Sequence, residues 1–113
     1  MHELALSQNI VNMVVEAARL EGVRRVSGVM VEIGAAAGVE PEALRFCFDV
    51  TAEQTIAEGA ALTIVPIALR ARCRGCAREF VPSSLIAPCP HCASHDRELL
   101  AGRELRVKSF DAE

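Results

Sequence analysis

The sequence predicts an α+β fold: two helices with a small sheet, interrupted before the last strand by a cysteine-rich insert. Three observations carry this. Segments of helical periodicity alternate with β-branched segments of period two, the composition changes at Arg70, and four cysteines fall in two C-x-x-C pairs beyond that point. At 113 residues the chain has length for one compact core and a small appendage.

From about Leu4 to Glu21, apolar residues recur as Leu6, Ile10, Met13, Val14, Ala17 and Leu20. Gln8, Asn12, Glu16 and Arg19 fall opposite them, so the segment is an amphipathic helix. Gly22 supplies its left-handed C-cap. Val26 to Ile33 alternates, with Val29, Val31 and Ile33 on one face and Glu32 on the other, as a half-buried strand does. After a small-residue loop from Gly34 to Gly38, Pro41 suits the first position of a second helix running to about Thr51, and Glu40 and Glu42 complement its dipole. Leu44, Phe46, Cys47, Phe48 and Val50 nearly encircle that helix, which predicts deep burial. Ala61–Leu69 alternates as a second strand, and Pro66 places part of it at a sheet edge. From Arg70 to about Glu98 there are few core formers and several turn formers (Gly75, Pro82, Pro88, Pro90), so this insert needs a metal to fold. Beyond Gly102, an alternating pattern through Leu105, Val107 and Phe110 predicts a strand returning to the sheet.

Composition narrows the function. Half the residues are hydrophobic (51%), with no Trp or Tyr and four Phe, so packing is aliphatic. A net charge of −3 argues against a protein whose main task is neutralising nucleic-acid phosphates. The first twenty residues lack a basic stretch and hold only short apolar runs, so neither signal peptide nor membrane span is expected, and the expected location is the cytoplasm. No Gly-rich phosphate loop, recognisable carboxylate pair or nucleophile beside a base appears, so no enzyme activity is expected.

Cys73-Arg-Gly-Cys76 and Cys89-Pro-His-Cys92 are separated by twelve residues. Two such knuckles present four thiolates to one ion as a closed tetrahedron, the arrangement of structural zinc. A redox dithiol pair or an iron centre is the competing reading in a reducing compartment. Arg70, Arg72, Arg74 and Arg78 offset the charge of such a centre, or else mark a zinc ribbon that touches nucleic acid. His91 and His95 beside the cysteines are expected to be solvent-exposed, with ligand replacement or a second metal as the rival reading. Cys47, with no histidine near it in sequence, reads as a buried inert thiol in preference to a nucleophile.

The chain begins Met1-His2-Glu3. A bulky second residue generally blocks removal of the first methionine. The Met1 amine, the deprotonated His2 backbone nitrogen and a His2 ring nitrogen can then close two fused chelate rings, and the Glu3 amide adds a fourth nitrogen. Four nitrogens in a plane suit nickel(II), and copper(II) equally. The bland reading is an incidental histidine on a frayed terminus.

Met-His-Glu at the start of the first helix, Val39-Glu40-Pro41-Glu42-Ala43-Leu44, Ala57-Glu58-Gly59-Ala60, the two knuckles and Gly102-Arg103-Glu104-Leu105 together resemble the HypA/HybF family. These are nickel-insertion accessory proteins for [NiFe] hydrogenases and, in some organisms, urease. The resemblance implies a nickel domain with a small mixed sheet and two helices (1–69 with 100–113) and an inserted zinc-ribbon-like domain (70–99). It also implies transient nickel(II) on Met1, His2 and Glu3, with Glu40 where the family tends to carry an acid, and structural zinc on Cys73, Cys76, Cys89 and Cys92. Glu40 reads equally as a helix N-terminal acid. The implied partners are a nickel-binding GTPase and the hydrogenase large subunit, with no nucleic acid and no membrane. Ala77, Ala93 and Gln54 depart from the family, standing where Gly is common. The leading alternative is a zinc-ribbon binding module for nucleic acid or protein. An enzyme with an open zinc site is weaker, because four cysteines leave no vacant position.

Overall fold

A computed structural model describes residues 2–113. The order of elements is α1 (Glu3–Leu20), β1 (Val26–Gly34), α2 (Pro41–Ala52), β2 (Ala61–Ile67), β3 (Arg70–Cys73), β4 (Glu79–Phe80), β5 (Arg97–Ala101) and β6 (Leu105–Ala112). Among the described residues the chain forms two compact units. One holds the chain up to Glu32, Gly38–Val65 and Arg106–Glu113; the other holds Ile33–Ala37 and Pro66–Leu105.

The first unit carries the helices and most of a three-stranded sheet of order β2-β1-β6. Glu113 N–H donates to Arg25 C=O, and Arg106 reaches Glu32, so β6 runs antiparallel to β1. A Cβ on Gly28 would touch the Ala61 carbonyl, and at the far end Ala35 N–H donates to Ile67 C=O, so β2 runs parallel to β1. A parallel pair needs a crossover, and α2 supplies it. The sheet is therefore mixed, and Pro66 lies on β2 at the sheet's edge, where a missing N–H is tolerated.

Strand β1 buries Val26, Val29, Val31 and Ile33, and the helices contribute Ile10, Val11, Val14, Ala18, Leu44, Phe48 and Ala52. Burying side chains such as Leu44 and Phe48, both fully enclosed, contributes about 1.5–3 kcal/mol each. Deep burial of α2 on all sides is not found. Phe46 is 70% exposed and Val50 46%, so the helix is one-sided, with Leu44, Phe48 and Ala52 inward. On α1, Met13 and Leu20 face solvent while Val11, unmarked by the helical pattern, is buried. Helix α1 ends as Gly22 implies: with φ +71, Gly22 N–H reaches Arg19 C=O and Val23 N–H reaches Ala18 C=O.

The second unit has its own antiparallel sheet of order β4-β3-β5, pairing Ala71 with Phe80 and with Leu99. These three strands were not anticipated, because Ala71, Phe80, Leu99 and two cysteines are its small core and no run of them shows a period. The only non-glycine residues with positive φ among those described are Gln54 (64°), Ala77 (65°) and Ala93 (63°). They are the three positions at which the resemblance leads one to expect glycine. The left-handed turns persist without the glycine that relieves them. No helix among the described residues is long and apolar enough to cross a membrane.

Candidate metal centres

The two cysteine knuckles are built alike. In the first, Cys73 N–H donates to Arg78 C=O and Ala77 N–H returns to Cys73 C=O; in the second, Cys89 N–H donates to Ser94 C=O and Ala93 N–H returns to Cys89 C=O. The residue two past each leading cysteine points its N–H at that sulfur: Gly75 to Cys73 Sγ at 3.3 Å and His91 to Cys89 Sγ at 3.4 Å. Cys76 N–H adds a third at 3.4 Å. Each tight turn requires a left-handed residue four past its leading cysteine, which is why Ala77 and Ala93 carry positive φ.

The knuckles bring four sulfurs within 4.8 Å of one another. Cys73 Sγ lies 3.4 Å from Cys92 Sγ and Cys76 Sγ lies 3.7 Å from Cys89 Sγ. A zinc tetrathiolate with bonds of about 2.3 Å has edges of about 3.8 Å, so these residues fit the ion. Cys73 and Cys89 are buried, while Cys92 is exposed. The Cys76 N–H, with further help from the Cys92 thiol and the Gly75 N–H, brings the Cys73 thiol down to about 7 against the opposing effect of burial. Cys92 gains from the Ser94 N–H, but the Cys73 thiol and burial outweigh it and push the group up to about 11. One sulfur of the four is thus ready to start metal capture, and the positive ion displaces the remaining protons.

The arginines have partners of their own. Arg70 and Arg72 lie 3.6 and 3.8 Å from Glu79, Arg72 3.5 Å from Glu98, and Arg74 3.1 Å from Asp96. Arg78 Nη1 sits 3.2 Å from His91 Nδ1. Glu79 on β4, Glu98 on β5 and Asp96 just before it offset three of the four arginines, which leaves little net charge for a phosphate backbone. Glu79, Asp96 and Glu98 gave no sequence signal; only strand register reveals them. Cys47 is half-buried on α2.

At the start of the chain, Met1 lies outside the described residues. His2 is exposed and occupies the N-cap position of α1 without a side-chain cap bond, and its carbonyl accepts from Leu6 N–H at 2.9 Å. Glu3 Oε2 accepts the Glu40 backbone N–H at 3.1 Å. That N–H holds the Glu3 carboxyl below its ordinary value. Glu40 is the N-cap of α2: its carboxylate accepts from Glu42 N–H at 3.2 Å and Ala43 N–H at 2.7 Å. Of the two readings open for Glu40 on sequence, the helix-terminal role is therefore visible directly, and Glu3 and Glu40 are brought together at the joined starts of α1 and α2.

Comparison with known proteins agrees with this architecture. A family model described as "Hydrogenase/urease nickel incorporation, metallochaperone, hypA" matches residues 1–112. Hydrogenase maturation factor HypA of Acidithiobacillus ferrooxidans is 42% identical over 113 residues, covering both chains completely. Hydrogenase maturation factor HybF of Klebsiella pneumoniae is 41% identical, again over both whole chains. The solution structure of the Ni metallochaperone HypA from Helicobacter pylori shares the fold with a TM-score of 0.71 at 23% identity, covering 99% of this chain and 97% of that one.

Proposed function

The chain belongs to the HypA family of nickel-incorporation metallochaperones, and on that footing we propose that it carries nickel(II) on the nitrogens of its own chain start. It is a nickel metallochaperone of hydrogenase maturation. In a chain starting at Met1, the ligands are the Met1 amine, the His2 backbone and ring nitrogens, and the Glu3 amide. The observation that carries this reading is the state of His2. Its ring is exposed and makes no cap bond, and the backbone N–H groups of a helix's first turn have no intrahelical acceptor. The helix leaves spare the nitrogen groups that would hold a nickel ion.

The family binds nickel, and the four-cysteine cluster is consistent with structural zinc. We assign that zinc to Cys73, Cys76, Cys89 and Cys92 and a nickel domain to 1–69 with 100–113, leaving 70–99 as the zinc domain. When bound, zinc cross-links the knuckles, and its binding free energy is folding free energy. Four thiolates on two knuckles, two of them buried, hold it, whereas an exposed terminus lets a partner take nickel by ligand exchange. The same division argues for a carrier and against an enzyme, since four thiolates leave the zinc no vacant position and the chain start serves to release its ion. A nickel-binding GTPase is the proposed source and the hydrogenase large subunit the proposed recipient, in the cytoplasm. The ion-paired arginines along and just after β3 give no support to a nucleic-acid module.

A host whose only copy carries His2→Ala is expected to make hydrogenase depleted of nickel, measured as nickel per purified large subunit. Undiminished nickel in that enzyme would overturn the reading.

A further inference from the structure

The segment between β4 and the second knuckle differs in character from the rest of its unit. From Phe80 to His95 the sequence holds no Asp, Glu, Lys or Arg. Within that stretch Val81, Leu85 and Ile86 are 71%, 50% and 80% exposed. Single exposed apolar residues are ordinary, but three so close together with no charge among them form a patch. The loop is closed at its base. Phe80 and Cys89 belong to one small core, and Arg78 Nη1 meets His91 Nδ1 at 3.2 Å, so residues before and after the loop are joined. Its interior is ordered as well: Ile86 N–H donates to Ser84 Oγ at 3.4 Å, Ala87 N–H to Ser84 C=O at 3.3 Å, and the Arg97 guanidinium to Ala87 C=O. Pro82 and Pro88 fix φ on either side of that turn. A compact surface loop with joined ends is an Ω-loop, and turn chemistry alone would favour Gly, Asn, Asp or Ser where Leu85 and Ile86 stand.

We propose that this loop is a docking finger: Val81, Leu85 and Ile86 enter an apolar cleft on a partner protein, and Arg78 meets a carboxylate at the mouth of that cleft. Charge identifies the occupant. Of Arg70, Arg72, Arg74 and Arg78, the last is the one without a carboxylate partner among the described residues, its contact being the His91 ring. An uncharged tip beside one uncommitted cation is complementary to an apolar pocket edged by an acid. A bilayer would call for a ring of basic residues, and Arg78 is the one Lys or Arg between positions 78 and 95. Cys89 both closes the loop and is one of the four thiolates assigned to zinc, so cross-linking of the knuckles fixes the neck of the finger as well. A rigid finger loses little conformational freedom on docking.

The test uses the full zinc-loaded chain without nickel and measures its binding to two purified proteins, the nickel-binding GTPase and the hydrogenase large subunit. The choice of these two rests on the carrier reading above. Leu85→Ser with Ile86→Ser is expected to weaken binding to at least one of them about tenfold or more, while zinc content, thermal midpoint and a separate nickel titration stay as in wild type. Leu85→Met with Ile86→Val, still apolar, is expected to remain within about threefold. Arg78→Gln is expected to weaken the same complex roughly three- to tenfold and to flatten its salt dependence. Equal binding by wild type and the double serine variant, or no binding of either protein by wild type, overturns the proposal. Binding to vesicles of phosphatidylcholine and phosphatidylglycerol in equal parts, in place of both proteins, also overturns it, as does a changed oligomeric state of the double serine variant in sedimentation; the patch would then serve a membrane or a second copy. Because the docking assay contains no nickel, loss or survival of nickel binding in His2→Ala leaves its result untouched, and failure of the finger is distinguishable from failure of the nickel site.

Discussion

Gly34 lies so close to Gly102 that a Cβ on Gly34 would overlap the Gly102 carbonyl and come within 2.6 Å of Arg103 N. Around this crossing Gly34 N–H donates to Glu104 C=O at 2.7 Å, Ala36 N–H to Gly102 C=O at 2.6 Å, and Gly102 N–H to the Glu104 carboxylate at 2.7 Å. Backbone meets backbone here, so no side chain can yield to make room. Gly34→Ala is expected to destabilise the zinc-loaded protein by about 3 kcal/mol, measured by urea unfolding. A change under about 0.5 kcal/mol would contradict the packing described.

Ala77 and Ala93 hold left-handed backbone with φ of 65° and 63°. An alanine in that region costs about 1–2 kcal/mol, and glycine gives back about 0.5–1 kcal/mol of that through its freer unfolded chain. The pair Ala77→Gly with Ala93→Gly is therefore expected to raise stability by roughly 1 kcal/mol in total, seen as a higher thermal midpoint with zinc bound. A lower midpoint would show that the knuckles do not carry this strain.

Zinc uptake should release fewer protons as pH rises. With Cys73 lowered to about 7, its thiolate contributes to the folded cluster above the ordinary thiol value, and that contribution is lost as pH falls through about 7. Between about pH 6 and about pH 8 the protons released per zinc should drop by about one, since Cys73 has already ionised, while Cys92, at about 11, is protonated throughout. Calorimetry in buffers of different ionisation enthalpy measures the number. A constant count across that range would show that no thiol of the cluster ionises ahead of the metal.

The legible parts of this molecule are those in which a local pattern decides the structure. Helical spacing found α1, Pro41 found the first turn of α2, Gly22 found the end of α1, and cysteine spacing found the knuckles. What escaped depends on register between distant segments. The β3, β4 and β5 strands are too short to show a period, and their pairing decides which carboxylate meets which arginine. The apolar count of α2 misled because periodicity tells which residues are apolar, and only the packed fold tells which are covered; Phe46 and Val50 are left outside. At the chain start the sequence named His2, Glu3 and Glu40, but the tether from Glu3 to the Glu40 N–H joins residues 37 apart and becomes visible only in the fold.

The most direct measurement is nickel titration of protein beginning at Met1, beside His2→Ala and a version with one residue added before Met1. Protons compete for the imidazole and amine, of ordinary pKa about 6.5 and 8, so it is best done near pH 8 and repeated near pH 6. The expected result is one specific site in the first protein, weakened steeply at the lower pH and absent from both variants. Equal nickel affinity in the lengthened chain would mean that the amine and backbone of the chain start are not the ligands.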